Sequence, residues 1–205
     1  MIHYKVHYFN SRGAAECIRQ ILVVAGQDFE DVRVNQEDWP QLKASTPFGQ
    51  MPILEEDGKK LGQSIAIARY LARKYNLAGS NAWEEAQVDS YVDQMKDFLT
   101  ECRPHFGVFA GHAQGNPEEA KKEILLLAKK HFPFFVKGIE KSGSGYLVGN
   151  GLTFADLLLA EYSNTFETVS AGFLEAFPAL KKHKTKVQSN PQLKKWIETR
   201  PVTRF

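Results

Sequence analysis

The chain has 205 residues, room for one large domain or two modest ones with real hydrophobic cores. Its 43% hydrophobic and 24% charged residues are ordinary for a globular protein. The 26 basic and 24 acidic residues are well mixed, and a net charge of +2 gives no electrostatic case for nucleic acid or an anionic membrane.

The opening residues Met1-Ile2-His3-Tyr4-Lys5-Val6 lack the basic-then-apolar order of a signal peptide. No apolar run approaches the roughly 20 residues that cross a bilayer. Cys17 and Cys102 are the only cysteines, and their separation fits neither a redox pair nor a disulfide framework. A cytoplasmic, reduced protein is the expectation.

Ile2, Tyr4, Val6 and Tyr8 alternate with more polar neighbours, the period of a strand. Gly13 breaks the pattern, and Ile18, Ile21, Leu22 and Ala25 recur at helical spacing up to Gly26, a natural terminator. Phe29 to Val34 reads as a second, rather polar strand of the edge type. After an irregular stretch, Met51-Pro52-Ile53-Leu54 leads into Asp57-Gly58, a two-residue hairpin signal. Ser64, a favoured N-cap, then precedes a helix carrying Ile67, Tyr70 and Leu71. Strand, helix, strand, loop, hairpin and helix make a small α/β layer with mixed strands.

From about Trp83 the character changes, and amphipathic helical stretches replace strands. The boundary falls between Asn76 and Asn81, around Gly79 and Ser80. Asn116-Pro117 opens one helix, with Ile124, Leu127, Ala128 and His131 on one stripe. Pro133 is expected to kink or end that helix. Thr153-Phe154-Ala155-Asp156 has the spacing of a capping box, with Asp in the place usual for Glu or Gln. Asn190-Pro191 starts a last helix that Arg200-Pro201 closes. The fold class is therefore α/β plus all-α, with domains at 2–79 and 81–205.

Several residues admit a chemical reading beside a plain one. Pro52 stands directly before a core strand, where it has no N–H to give a ladder. It is either a turn proline or, as in thioredoxin-like folds, a cis proline that turns Met51 outward to pair with an extended thiol peptide. Gln63-Ser64 lies at a helix start, where N–H groups and the helix dipole attract an anion; Ser64 equally serves as a cap. Trp39 and Lys43 are four apart, so one helical turn sets them side by side, able to hold a carboxylate by indole N–H and by charge. Tyr8 ends the first strand before Phe9-Asn10-Ser11-Arg12-Gly13, as a packed aromatic or a proton donor.

Taken together, these stretches resemble the soluble glutathione transferases, most closely their sigma-like, prostaglandin-synthase-related branch. The resemblance rests on Tyr8 to Gly13, Asp38-Trp39-Pro40, Pro47 to Leu54, and Gln63 to Leu71. Leu147-Val148-Gly149-Asn150 and Thr153 to Leu157 continue it in the helical half. It implies a thioredoxin-like N-terminal domain that binds glutathione, followed by a helical-bundle domain walling the electrophile pocket. Glutathione would be the co-substrate, with no metal required. Tyr8 would donate a hydrogen bond to the glutathione sulfur, and Arg12 would add positive potential. A free thiol has a pKa of about 8.5, and each unit by which it falls stabilises the thiolate by about 1.4 kcal/mol. The tripeptide would be held by Tyr8, Trp39, Lys43, Gly49, Gln50, Met51, Pro52, Gln63 and Ser64. In a homodimer Asp97 would reach the partner's ligand; read alone, it is an exposed helix charge. Phe9, Arg12, Gly13, Arg103, Phe106 and Phe205 would wall the electrophile pocket. Ala14 stands where some similar proteins carry a second Arg. Prostaglandin isomerisation, or carriage of bulky apolar ligands, is the alternative function. A thiol–disulfide oxidoreductase is disfavoured because the turn after the first strand contains no cysteine.

Overall fold

The computed structural model describes residues 2–205, which gather into two compact units. Along the chain the elements are β1 (Tyr4–Phe9), α1 (Glu16–Val24), β2 (Phe29–Val34), α2 (Trp39–Lys43), β3 (Ile53–Glu56), β4 (Lys59–Gly62) and α3 (Ser64–Lys74). Five helices follow: α4 (Ala82–Phe109), α5 (Pro117–Ser142), α6 (Phe154–Val169), α7 (Pro178–Gln188) and α8 (Pro191–Thr199). The first unit holds the residues through Ala78 together with Val187–Phe205, and the second holds Gly79–Lys186.

In the first unit the sheet runs β2-β1-β3-β4, with β1 and β2 parallel and the other pairs antiparallel. The order read from the sequence holds, and β2 is an edge strand. Tyr4 and Val6 of β1 point into a core with Ile18, Ile21 and Leu22 of α1 and Ile67 and Leu71 of α3, all buried. Each such side chain contributes about 1.5–3 kcal/mol by leaving water. The alternate residues of β1 carry ion pairs instead: Lys5 with Glu30 at 3.0 Å and His7 with Glu55 at 3.3 Å. Asp57 and Gly58 both have positive φ, 48° and 83°, the backbone that a two-residue hairpin with right-handed strand twist requires.

The last helix belongs to this unit, whereas the sequence reading drew 81–205 as one helical domain. Its Trp196 donates an indole hydrogen bond at 2.7 Å to Glu16 on α1, and its ring lies 5.6 Å from that of Phe29. A buried carboxylate on α1 requires donors, and α8 supplies them.

The second unit is all helical. Asn116 and Asn81 cap α5 and α4 through their side-chain carbonyls. Phe98, Phe132, Phe135, Phe166 and Phe173 form its aromatic core, with Phe132 and Phe166 at 5.1 Å between centroids. Pro133 does not end α5, which runs on to Ser142; Pro104 likewise lies within α4. An interior proline costs about 3 kcal/mol, yet the buried neighbours Phe132, Phe135 and Ile139 each return about 1.5–3 kcal/mol. Packing outweighs the lost backbone bond.

The capping box of α6 is formed, and it is more than a cap. Asp156, fully buried, accepts from the Thr153 N–H at 2.9 Å and the Thr153 hydroxyl at 2.7 Å. It also accepts from the Leu147 N–H at 2.7 Å and lies 2.9 Å from Nε2 of the buried His183.

Candidate active site

The turn after β1 is built around one close approach. Tyr8 is half-buried, and its hydroxyl accepts a hydrogen bond from the Ala14 N–H at 3.3 Å. Gly13, at φ 38°, passes so near that a Cβ there would sit 2.8 Å from the phenol oxygen. The glycine is therefore demanded by Tyr8 as well as by the turn. The Tyr8 hydroxyl has no acceptor among the described residues, so its own proton is available.

Arg12, expected to lend its charge beside Tyr8, is 7% exposed and turned to the C-terminal tail. Its N–H donates to the Phe205 carbonyl at 2.7 Å and its Nη2 to the Arg204 carbonyl at 3.2 Å.

From Tyr8 a line of rings leads outward. Phe9 lies 5.8 Å from Tyr8 and 5.7 Å, edge-on, from Trp39. The expected turn of helix exists as α2, whose five residues start with Trp39 and finish with Lys43. Lys43 is exposed, and a Cβ on Gly49 would lie 3.5 Å from its side chain, so the two neighbour each other. Gln50 is exposed, Met51 half-buried, and the Met51–Pro52 bond is cis.

At α3 the sequence reading needs a correction. Ser64 is the first helical residue and not the cap; Gln63 holds the N-cap position with φ 73°, and no side chain caps that end. Gly62 ends β4 directly before it, and the positive φ of Gln63 turns the chain into the helix within one residue. The Gln63 side-chain amide nitrogen lies 3.5 Å from the Gln50 side-chain oxygen, joining the Gln50 loop to the helix start. An uncapped helix N-terminus beside two amides is suited to a carboxylate.

Asp97 and Arg103 are exposed on α4, and Phe106 is half-buried there, 6.0 Å from Phe166 in the second unit's aromatic core. Phe205 is half-buried in the first unit. Cys17 and Cys102 are both buried, and burial, with Glu101 adding, pushes the Cys102 thiol up to about 12. Cys102 therefore offers no thiolate nucleophile at neutral pH.

Sequence reasoning passed over the charged pair beneath the turn. Glu16 and Arg19 of α1 are fully buried, and Arg19 Nη1 donates to Glu16 Oε2 at 3.1 Å and to the Ser11 carbonyl at 3.0 Å. Their spacing of three on a helix was visible, but nothing local marks that face as buried.

Among the described residues no group of three or more His, Cys, Asp and Glu is placed to hold a metal, and no helix is long and apolar enough to cross a membrane.

Two family models match this architecture: "Glutathione S-transferase, N-terminal domain" over residues 4–73 and "Glutathione S-transferase, C-terminal domain" over residues 85–200. The chain is 55% identical over 206 residues to the probable glutathione S-transferase 7 of Caenorhabditis elegans, covering all of both proteins. It superposes with a TM-score of 0.95 on monomeric Na-GST-3, a glutathione S-transferase from the hookworm Necator americanus, at 52% identity over 99% of this chain and all of that one. The prostaglandin synthase D of Nilaparvata lugens aligns at 35% identity and a TM-score of 0.87, over 98% of this chain and all of that one.

Proposed function

Since the chain belongs to the glutathione S-transferase family, with glutathione transfer as its activity and glutathione as co-substrate, we propose that it conjugates the thiolate to small hydrophobic electrophiles, with Tyr8 stabilising the thiolate. One observation carries the role of Tyr8. Its hydroxyl accepts from the Ala14 N–H and leaves its own proton undirected. A phenol that is already accepting a hydrogen bond is polarised towards donating one. Donation to a sulfur stabilises the thiolate over the thiol and lowers its pKa. With Ala14 in place of a second arginine and the Arg12 guanidinium engaged by the tail, the hydroxyl is the group that supplies this stabilisation.

The tripeptide then lies along the line from Tyr8. Its glycyl carboxylate takes the Lys43 ammonium and the Trp39 indole, Met51 pairs with its backbone, and its γ-glutamyl carboxylate takes the α3 start at Gln63 and Ser64. Phe9, Gly13 and Phe205 face the electrophile, and the reaction proceeds by holding it in line with the sulfur. The reduced cytoplasm suits a chain with two buried thiols. The likeness to a prostaglandin synthase favours isomerisation of a prostaglandin as a second activity of the same thiolate.

The test is Tyr8→Phe, which removes one oxygen and leaves the binding line intact. Glutathione binding within a few-fold of the parent, loss of most conjugation, and an upward shift of the bound thiol's pKa are expected. Unchanged turnover with an unshifted thiol would defeat the assignment. A panel of electrophiles, with a prostaglandin endoperoxide among them, identifies the substrate class.

A further inference from the structure

The C-terminal segment and the Tyr8 turn are tied to each other at two places, and one buried carboxylate stands between them. Glu16 is fully buried in α1. Its Oε1 accepts from the Trp196 indole at 2.7 Å and from the Arg200 guanidinium at 2.6 Å, both from the end of α8. Its Oε2 accepts from Arg19 Nη1 at 3.1 Å. Arg19, also fully buried, uses the same nitrogen to hold the Ser11 carbonyl at 3.0 Å and approaches the Arg12 carbonyl at 3.5 Å. Its guanidinium carbon lies 6.0 Å from the centre of the Tyr8 ring, and its Nε is bound to Asp31 on β2 at 2.8 Å. The second tie is the tail itself, which receives the Arg12 N–H at Phe205 and the Arg12 guanidinium at Arg204.

The circuit closes on itself: α8, Glu16, Arg19, the Ser11–Arg12 turn, then residues 204 and 205, which follow α8. Burial alone drives a carboxyl towards its neutral form. Here Arg200, the Trp196 indole and Arg19 outweigh that effect and hold Glu16 ionised below the ordinary carboxylate range. A charge so enclosed is rigid, because moving it breaks its bonds to two guanidinium groups and an indole in a site closed to water.

We infer that Glu16 is a positioning residue for the Tyr8 hydroxyl, with α8 and the tail acting through it as a strap on the Tyr8–Ala14 turn. The strap sets where the phenol oxygen stands relative to the Ala14 N–H. This rests on the reading of Tyr8 as the thiolate-stabilising group. Trp196 and Arg200, at the far end of the circuit, thereby influence a reaction they do not touch.

The experiment compares Glu16→Gln, Trp196→Phe and Tyr8→Phe, singly and with each of the first two combined with the third. Turnover, retention on immobilised glutathione, and the pH midpoint of the bound thiolate's ultraviolet absorbance are measured. In the parent background, each strap variant is expected to retain glutathione binding and lose about ten-fold in kcat, as small misplacements of catalytic groups do. The thiolate midpoint is expected to move upward. Combined with Tyr8→Phe, neither variant lowers turnover further. Trp196→Phe removes one neutral donor and leaves every charge in place, so it carries the test if Glu16→Gln does not fold. Parental kcat and midpoint in the folded strap variants, beside an inactive Tyr8→Phe, overturn this inference alone. Equal losses in both backgrounds also overturn it, since they mark a role in stability only. Full turnover by Tyr8→Phe overturns both readings.

Discussion

Gly13 and Tyr8 occupy space that two side chains cannot share: a Cβ on the glycine would stand 2.8 Å from the phenol oxygen. The backbone of the turn thus bounds the space that the Tyr8 hydroxyl occupies. Gly13→Ala has to move the Tyr8 ring and also place Ala at φ 38°, a left-handed backbone that L side chains rarely adopt. The strain is about 1–2 kcal/mol and lowers the melting temperature. Conjugation by the folded fraction is expected to fall by more than ten-fold, of the order that a displaced catalytic group produces. Normal specific activity in a merely destabilised variant would show that the hydroxyl's place is not critical.

Anchoring of the two glutathione carboxylates is tested by Lys43→Ala and Ser64→Ala. Each removes a group from one end of the line described above, and hydrogen bonds to charged groups are worth about 1.5–3 kcal/mol. Binding weakened by one to two decades, read from retention on immobilised glutathione, is expected for Lys43→Ala. Ser64 begins α3 without capping it, so Ser64→Ala should weaken binding while changing stability by no more than about 0.5 kcal/mol, as at ordinary surface sites. Cys17→Ala should change neither readout. Abolished activity in Cys17→Ala would refute the transferase mechanism.

Asp156→Ala should damage stability and spare catalysis. Read as a cap, its loss costs about 0.5–2 kcal/mol. The structure raises that expectation, because Asp156 also serves the Leu147 N–H and faces the buried His183. Leaving a buried donor without its acceptor costs about 1–3 kcal/mol, and Asp156 serves several. A large drop in melting temperature, with normal specific activity of whatever remains folded, is expected. Stability kept while activity is lost would reassign the residue to the reaction.

We propose a homodimer in which Asp97 of one copy pairs with the γ-glutamyl ammonium held by the other. Asp97 is exposed on α4, as that role requires. Na-GST-3, which this chain resembles, is monomeric, so assembly has to be measured here directly. Sedimentation is expected to show a dimer for both the parent and Asp97→Ala, with glutathione binding weaker in the variant. An exposed pair contributes about 0–1 kcal/mol and a sheltered one more, so a loss above about five-fold marks shelter. A fully active monomer refutes the assembly, and a dimer whose Asp97→Ala binds normally refutes only the contact.

Much of the scaffold was legible because its rules act over a few residues. Asp57-Gly58 announces a hairpin since both positions need positive φ, and Asn116-Pro117 and Asn190-Pro191 announce helix starts since the cap and the missing N–H are local facts. The proposed glutathione line from Tyr8 to Ser64 was read through family resemblance, not from any local rule.

Other features were decided only when distant segments met. Pro133 reads as a helix end, yet α5 continues because Phe132, Phe135 and Ile139 are buried around it. Gln63 displaces Ser64 as cap because β4 ends one residue earlier and the chain has to turn at once. Arg12 reads as a free cation, but the Phe205 and Arg204 carbonyls engage it, nearly 200 residues along the chain. Glu16 and Arg19 carry no local mark of burial, and it is α8 that returns to give Glu16 its Trp196 and Arg200 donors. Burial is a property of the assembled unit, and it is burial that turns a surface charge into one whose every hydrogen bond has to be met. Sequence by itself determined the local elements and singled out candidate residues; tertiary structure decided which charged groups are buried and which partners they meet.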